Sequence, residues 1–281
     1  MRYAVVFLVA LLTACSEIGP YIQLDDNATP ADTVAVDTTQ SRVVLLEIFT
    51  GASCPNCPKG RQIADNLMGT YAGRLQVVEI HQGPLAHPAQ QGDPDLRTTD
   101  GDELAAYLGP PPYWPVGAVD RRAYQTSPGV WQTLVDRNLW SSLVAAAVDS
   151  PLKVALGAQA SFDEASRKLK VDVGVRFLRS VEEALHLTVM LVEDSIVAAQ
   201  LDGVTLITDY VHHDVLRDIL TPFSGTPVTG NRQAGTSWYW SVADYVLPPD
   251  WNARHCRVVV LVARSGGSYE VLQSHQIKLL P

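Results

Sequence analysis

The sequence lacks several features that would point to common classes of function. Acidic residues outnumber basic ones, with 30 Asp and Glu against 21 Lys and Arg, and no basic run occurs. The net charge of −9 argues against nucleic acid as a partner, because such a surface needs clustered positive charge. Local signatures of a phosphate-binding loop, a Ser-His-Asp triad or paired catalytic carboxylates are also missing, and we expect no cofactor.

Cysteine is scarce as well. The chain has four, Cys15, Cys54, Cys57 and Cys256, and only the middle two are close in sequence. A structural zinc site usually needs a second Cys or His pair at comparable spacing, which the sequence does not offer. We therefore expect no metal. Three interpretations of the close pair stay open: a redox dithiol, which its context favours, a local structural disulfide, or half of a zinc site.

The N-terminus predicts a targeting segment. Arg2 precedes an apolar stretch from Tyr3 to Leu12 that is too short to span a bilayer. The stretch ends in Leu12-Thr13-Ala14-Cys15, which resembles a bacterial lipobox with Cys15 as the lipidated first residue. The alternative is a plain secretory peptide cut near Ala14. Ser16 follows the cysteine, and resemblance to lipoprotein sorting rules then favours the outer membrane of the cell envelope. We expect stable lipid anchoring in an oxidising compartment.

Composition and hydrophobic period divide the rest of the chain into three parts. Residues 16–41 carry acidic residues but no Lys or Arg, which predicts a flexible acidic tether. Residues 42–150 alternate buried strands with helical patterns, which predicts an α/β domain. At Pro151 the period changes to two, so residues 151–281 predict an all-β sandwich domain of immunoglobulin-like type. The predicted helices are residues 59–71, 103–108, 130–148 and a short one within 211–220.

The stretch Cys54-Pro55-Asn56-Cys57-Pro58 follows the apolar run Val43–Phe49. A buried strand, a short turn and two cysteines at i and i+3 opening a helix suit dithiol chemistry, because the sulfurs can meet within one turn. We expect Cys54 at the helix N-terminus, where free N–H groups and the macrodipole favour a thiolate. Pro55 fits the first helical turn.

The first folded part resembles the thioredoxin superfamily. The order is strand, Cys-x-x-Cys, helix, strand, helix, and then a proline opening a later strand. In that superfamily the later proline is cis and faces the dithiol. The matching position is Pro115, and the preceding Trp114 is a possible accessory residue.

The mature chain resembles more closely the twenty-eight-kilodalton outer-membrane lipoprotein family. The resemblance implies a thioredoxin-like domain followed by a sandwich domain in an envelope lipoprotein, without a settled reaction. The runs that carry it are Leu45–Gly51, Cys54–Pro58, Ile80–Gly83, Trp114–Arg121, Val211–Arg217 and Val271–Ser274.

One position departs from the thioredoxin pattern. Many thioredoxin-like proteins place a buried acid six residues before the first cysteine, where it relays a proton to the second sulfur. Here that position is Ile48, and strand alternation turns Glu47 to the opposite face. Efficient resolution of a mixed disulfide is therefore not expected, unless a bulge in the strand returns Glu47 to the face of the dithiol.

The remaining candidates have plainer interpretations. His81 ends a strand near the expected active face, where we expect it to be hydrogen-bonded to nearby backbone, and it is a possible accessory residue. A copper or zinc site with His87 and the cysteines is an alternative. The run His212-His213-Asp214 looks like a ligand cluster, but adjacent residues point in different directions. Cys256 begins an apolar strand and is expected to act as a small buried hydrophobe.

We interpret the chain as a lipid-anchored thiol–disulfide oxidoreductase. Cys54 would attack, Cys57 would resolve the mixed disulfide, and Pro115 would shape the partner-binding surface. The partners would be cysteine-containing envelope proteins or a redox protein, with the membrane reached through the lipid. The alternative is a binding or structural lipoprotein with a static Cys54–Cys57 disulfide.

Overall fold

A computed structural model describes residues 34–280. The prediction of a lipidated Cys15 lies outside the described residues. The helices are α1 (Cys57–Thr70), α2 (Thr99–Leu108) and α3 (Arg137–Val148). The strands are β1 (Val44–Thr50), β2 (Leu75–His81), β3 (Val116–Val119), β4 (Tyr124–Ser127), β5 (Val130–Gln132), β6 (Val135–Asp136), β7 (Val154–Asp163), β8 (Lys168–Phe177), β9 (Leu185–Glu193), β10 (Ile196–Val197), β11 (Gln200–Asp202), β12 (Thr205–Ile207), β13 (Val211–His212), β14 (Val215–Ile219), β15 (Thr226–Pro227), β16 (Ser237–Val246), β17 (Cys256–Arg264) and β18 (Val271–Lys278).

The fold is mostly β and is built on one large sheet. Its strand order is β18-β17-β9-β14-β2-β1-β3-β6, with β15 paired to β9. β1 and β2 are parallel, and β3 and β6 continue the sheet in antiparallel pairing. A separate three-stranded sheet has the order β16-β8-β7. The large sheet therefore contains strands from both sides of Pro151, and the predicted boundary between domains at that residue stays a prediction.

Three apolar cores hold these layers together. One face of the large sheet packs on α2 through residues such as Phe49, Ile80 and Leu104. The opposite face is covered by α1 and α3 at one end, where Trp140 is fully buried. At the other end of that face the three-stranded sheet packs on β9 and β17 around Phe177. Strand alternation explains the division, because successive side chains of β1 enter different cores.

Local capping fixes where two helices begin. The hydroxyl of Thr98 accepts a hydrogen bond from the Gly101 N–H at 3.0 Å, and α2 follows. The carboxylate of Asp136 accepts from the Asn138 N–H at 2.9 Å, and α3 follows. The sequence placed the start of α2 four residues later than the structure does, because Asp102 was interpreted as the cap.

One predicted helix is too long and another is wrong. Residues 130–148 were expected to form one helix, but Val130–Gln132 is a strand of the β4–β5 hairpin and the helix begins only at Arg137. Gly129 adopts φ +77° in the turn, a conformation that glycine reaches without strain. Trp131 is consequently 64% exposed. The short helix expected within 211–220 is replaced by β13 and β14, which pairs with both β9 and β2.

No helix within residues 34–280 has the length and apolar character needed to cross a membrane.

Candidate functional site

Cys54 and Cys57 form a disulfide between the end of β1 and the start of α1, with the two Cα atoms 5.4 Å apart. The cysteine loop, residues 51–56, links the two elements. Asn56 is the N-cap of α1, so Cys57 is the first helical residue and Cys54 precedes the cap. The expectation that Cys54 opens the helix with Pro55 in its first turn is therefore corrected: the proline of the first turn is Pro58, which needs no intrahelical acceptor there.

The disulfide is covered rather than open to solvent. Cys54 has no exposed surface and Cys57 is 4% exposed. The β11–β12 hairpin, residues 200–207, packs on the cysteine loop, and its polar hydrogens point at carbonyl oxygens of that loop. The bonds are Gln200 Nε2 to Gly51 O (3.2 Å) and Cys54 O (3.1 Å), Leu201 N to Ala52 O (2.8 Å), and Gly203 N to Pro55 O (2.9 Å).

The loop after β2 closes the other side of the cysteine loop. The Ser53 N–H donates to the carbonyl oxygen of Leu85 at 3.0 Å, and Ser53 Oγ lies 3.0 Å from His87 Nδ1. A Cβ added to Gly51 would stand 2.3 Å from Leu85 O, so only glycine permits this contact. His87 thus supports the loop through a hydroxyl.

Pro115 lies beside α1. The Trp114–Pro115 peptide bond is cis, and Pro115 is buried at the start of β3. A Cβ on Gly60 would stand 2.8 Å from Pro115 Cγ, so the absence of a side chain at position 60 lets the helix approach the proline. Trp114 is half-buried and packs against Gly83. The structure therefore brings Pro115 against the first turn of the helix that Cys57 begins, although the two residues are far apart in the sequence.

His81 is buried on the α1 side of the sheet, opposite Thr50 in the register of β1 and β2. The hydrogen bond to nearby backbone expected for His81 is wrong, because neither ring nitrogen has a hydrogen-bond partner among residues 34–280. Burial lowers the pKa of His81 well below its usual value, and the neighbouring His212, whose ring centroid is 5.3 Å away, adds to the effect. Burial also lowers the pKa of His212 to about 4. Both rings are therefore neutral at physiological pH.

Two buried glutamates flank the site on adjacent strands. Glu47 receives two hydrogen bonds from Arg121, on the face opposite Ile48, as strand alternation predicts. Glu79 lies opposite Ile48 in the β1–β2 register and therefore faces α1. Its nearest cation is Arg61, at 3.7 Å. Sequence reasoning missed Glu79, because its place beside Ile48 depends on how the two strands pair.

The 200–207 hairpin was also missed. Gly203 and Val204 form its two-residue loop, in which Gly203 adopts φ +58°. A glycine at such a position is a sequence signal that is typical of tight hairpins. That signal could have indicated a hairpin. Its position on the cysteine loop could not be inferred, because Gln200 and Gly51 are 149 residues apart.

The other candidates contribute no reactive site. Cys256 is buried and has no disulfide partner among the described residues, and burial raises its pKa to about 12. His212 is buried whereas His213 is partly exposed, so their side chains diverge as expected. Within residues 34–280 no group of three or more His, Cys, Asp or Glu side chains is arranged to hold a metal ion.

Comparison with known proteins gives a family and a fold. A family model described as outer membrane protein Omp28 matches residues 114–280, more than half of the chain. The match includes Pro115 and the 200–207 hairpin and begins after both cysteines. No curated protein shows significant sequence similarity.

Two solved structures resemble the chain. HBP35 of Porphyromonas gingivalis aligns with a TM-score of 0.64 and 14% identity, over 86% of this chain and 77% of its own. A protein of Agrobacterium tumefaciens aligns with a TM-score of 0.48 and 13% identity, over 85% of this chain and 96% of its own. At such identity the likeness to HBP35 shows a shared fold alone.

Proposed function

We propose that this chain, which belongs to the Omp28 family of outer membrane proteins, is a lipid-anchored thiol–disulfide oxidoreductase of the bacterial outer membrane. Cys54 and Cys57 are the reactive pair, and Cys15, outside the described residues, carries the lipid. The partners are cysteine-containing envelope proteins or a redox protein. The observation that carries the proposal is the Cys54–Cys57 disulfide at the N-terminal end of α1.

The order of strands around the pair supports a thioredoxin-like arrangement. β1 is parallel to β2 on one side and antiparallel to β3 on the other, and β6 follows β3. α1 and α3 cover the same face of these strands, and Pro115 begins β3 against α1. The core enclosed by β7, β8, β9 and β17 supports a sandwich in the second half. These features bear on fold, whereas the proposed chemistry depends on the cysteines.

The proposed reaction is a two-step exchange. The Cys54 thiolate of the reduced protein attacks a partner disulfide, forms a mixed disulfide and releases one partner thiolate, which takes up a proton. The Cys57 thiol then loses its proton, attacks Cys54 Sγ and releases the second partner sulfur. The partner gains two electrons and becomes a dithiol while Cys54–Cys57 becomes a disulfide. The reverse sequence oxidises a partner dithiol, and the two reduction potentials set the direction.

The surroundings of the pair favour a thiolate. The N–H groups of the first turn of α1 have no acceptor within the helix, and that turn contains no acidic residue. Arg137 donates a hydrogen bond to the Asn56 carbonyl oxygen at 2.9 Å and brings a positive charge to the cysteine loop. Both features would stabilise the negative charge of a thiolate at the N-terminal end of α1.

Trapping of the mixed disulfide tests the proposal. Cys57→Ser should accumulate covalent adducts with envelope proteins, because Cys54 can attack while resolution cannot follow. Cys54→Ser should accumulate few. Cys256→Ser is the matched control and should behave like the wild type, since that thiol is buried. Non-reducing electrophoresis measures the adducts, and equal adduct levels in all three variants would contradict the proposal.

A static disulfide in a binding or structural lipoprotein is the second candidate, and the complete burial of Cys54 favours it. The reduction potential separates the two functions. A structural bond in an exported protein typically has a potential below roughly −300 mV and resists the glutathione pool, whereas an exchanging pair lies higher. Equilibration with glutathione buffers of known potential gives the value.

A further inference from the structure

We propose that the 200–207 hairpin is a displaceable cap on the disulfide, and that an extended, cysteine-bearing segment of the partner protein takes its place during exchange. The inference rests on the proposed function. It names the surface on which the partner binds: the row of carbonyl oxygens of the cysteine loop.

The hairpin binds this row through backbone N–H groups. The N–H of Leu201, in β11, donates to the carbonyl oxygen of Ala52, and the N–H of Gly203, in the turn, donates to that of Pro55. Because the acceptors are backbone oxygens, a partner segment can replace the hairpin by supplying backbone N–H groups. It needs no particular side-chain sequence, apart from the cysteine that must reach Cys54.

The cap is attached at its base, and its tip is exposed beyond the bond from Gly203 to Pro55. The hairpin belongs to the segment that connects β9 to β14. The ends of this segment are joined by a hydrogen bond from the Asp214 N–H to Asp194 Oδ1 at 2.8 Å. Near the hairpin, the Ala199 N–H donates to Asp93 Oδ2 at 2.7 Å. Val204 at the tip is 100% exposed, and Leu206 is 42% exposed. Lifting residues 200–207 therefore breaks the bonds to the cysteine loop while leaving the closure of the base and the large sheet in place.

The chemistry requires a movement near Cys54. An attacking thiolate must approach a sulfur along the S–S axis, and Cys54 has no exposed surface. The hairpin, which bonds to the carbonyl oxygen of Cys54, is the segment that we expect to move. Removal of the hairpin leaves several carbonyl oxygens without donors, which is costly unless a replacement supplies N–H groups. A partner peptide can supply them, whereas a small thiol cannot.

The cap is tested by the rate at which dithiothreitol reduces the disulfide. Gln200→Ala removes the amide that bonds to Gly51 and Cys54, and we expect reduction to become roughly five- to ten-fold faster. Gln233→Ala, in a loop beside Ser180, is the matched control and should leave the rate unchanged. Equal rates for wild type and Gln200→Ala would overturn the cap.

Hydrogen exchange tests the replacement without relying on a cap variant. Cys57→Ser is joined through Cys54 either to an extended cysteine-containing decapeptide or to cysteamine, each supplied as a mixed disulfide with thionitrobenzoate, which leaves. The amides of Leu201 and Gly203 should lose protection with the peptide and keep it with cysteamine. Equal protection in both adducts would overturn the partner assignment. Faster reduction of Gln200→Ala without any trapping of envelope proteins would support the cap and contradict the proposed exchange.

Discussion

Glu47 and Glu79 occupy adjacent strands, both are buried, and they meet positive charge in different ways. The two carboxylate oxygens of Glu47 each accept a hydrogen bond from Arg121, at 2.7 Å from Nε and 2.6 Å from Nη2. Glu79 is 3.7 Å from Arg61, whose guanidinium lies closer to Asp214 and Asp65, at 2.6 Å each. One carboxylate has a cation to itself, and the other shares one.

The difference bears on what each glutamate can do. Burial raises the pKa of Glu79 to about 7, because the attraction of Arg61 does not offset desolvation and Asp214 opposes ionisation. Arg61 is one helical turn after Cys57. Glu47 and Arg121 thus form a structural ion pair. Glu79, in contrast, titrates near neutral pH and lies on the face of the sheet beneath α1, the helix that begins at the disulfide.

The largest expected effect on the free energy of unfolding comes from placing a second carboxyl group beside Glu79. Ile48 is buried opposite Glu79. Ile48→Asp removes an aliphatic side chain and adds a carboxyl beside another, and we expect the free energy of unfolding to fall by about 5 kcal/mol or more. Ile48→Val is the control, at about 1 kcal/mol. Urea unfolding measures both, and a loss below ~2 kcal/mol for Ile48→Asp would show that this face accommodates a second carboxyl.

On the opposite face of β1, a substitution of Arg121 removes the cation that pairs with Glu47. Arg121→Met leaves Glu47 charged and buried, with an expected cost of about 3–5 kcal/mol in the free energy of unfolding. Adding Glu47→Met should recover much of that loss, because the cost arises from the uncompensated charge. Denaturant unfolding of the single and double variants measures the recovery. If the double variant is no more stable than Arg121→Met, packing of the arginine is responsible instead.

The strands and α1 could be predicted because their signals are local. The alternating run Leu169–Phe177 lies within β8, and the helix predicted at residues 59–71 corresponds to α1. Periodicity failed where an apolar residue faces solvent, as Trp131 does, since the pattern of residues 130–148 assumes that every apolar side chain is buried. It failed again at Val215–Ile219, where tertiary pairing with two strands decides the structure.

The candidate site divides in the same way. Cys54 and Cys57 are three residues apart in the sequence, so their spacing alone indicates a pair. Gln200 reaches the cysteine loop through the fold, and no local pattern carries that information. Glu79 falls between these cases: its strand was predicted, but its position opposite Ile48 is fixed by parallel register, which a one-residue shift would reverse.

The smallest effect is a pH dependence that only Glu79 should produce. Its pKa is raised from 4.5 to about 7 on folding, so between these values the folded state binds the proton that the unfolded state has lost. Stability from this group is present below pH 4.5 and is lost as the pH rises through 7. Glu79→Gln cannot titrate, and the difference in unfolding free energy between variant and wild type should change by about 3 kcal/mol across this window.

Asp100 also has a pKa raised to about 7, which is why the difference, rather than the wild-type curve, must be measured. Asp65→Asn, at the exposed partner of Arg61, is the control and should shift the free energy of unfolding by less than ~1 kcal/mol. Parallel stability curves for Glu79→Gln and wild type would mean that Arg61 holds Glu79 ionised and that the two glutamates do not differ.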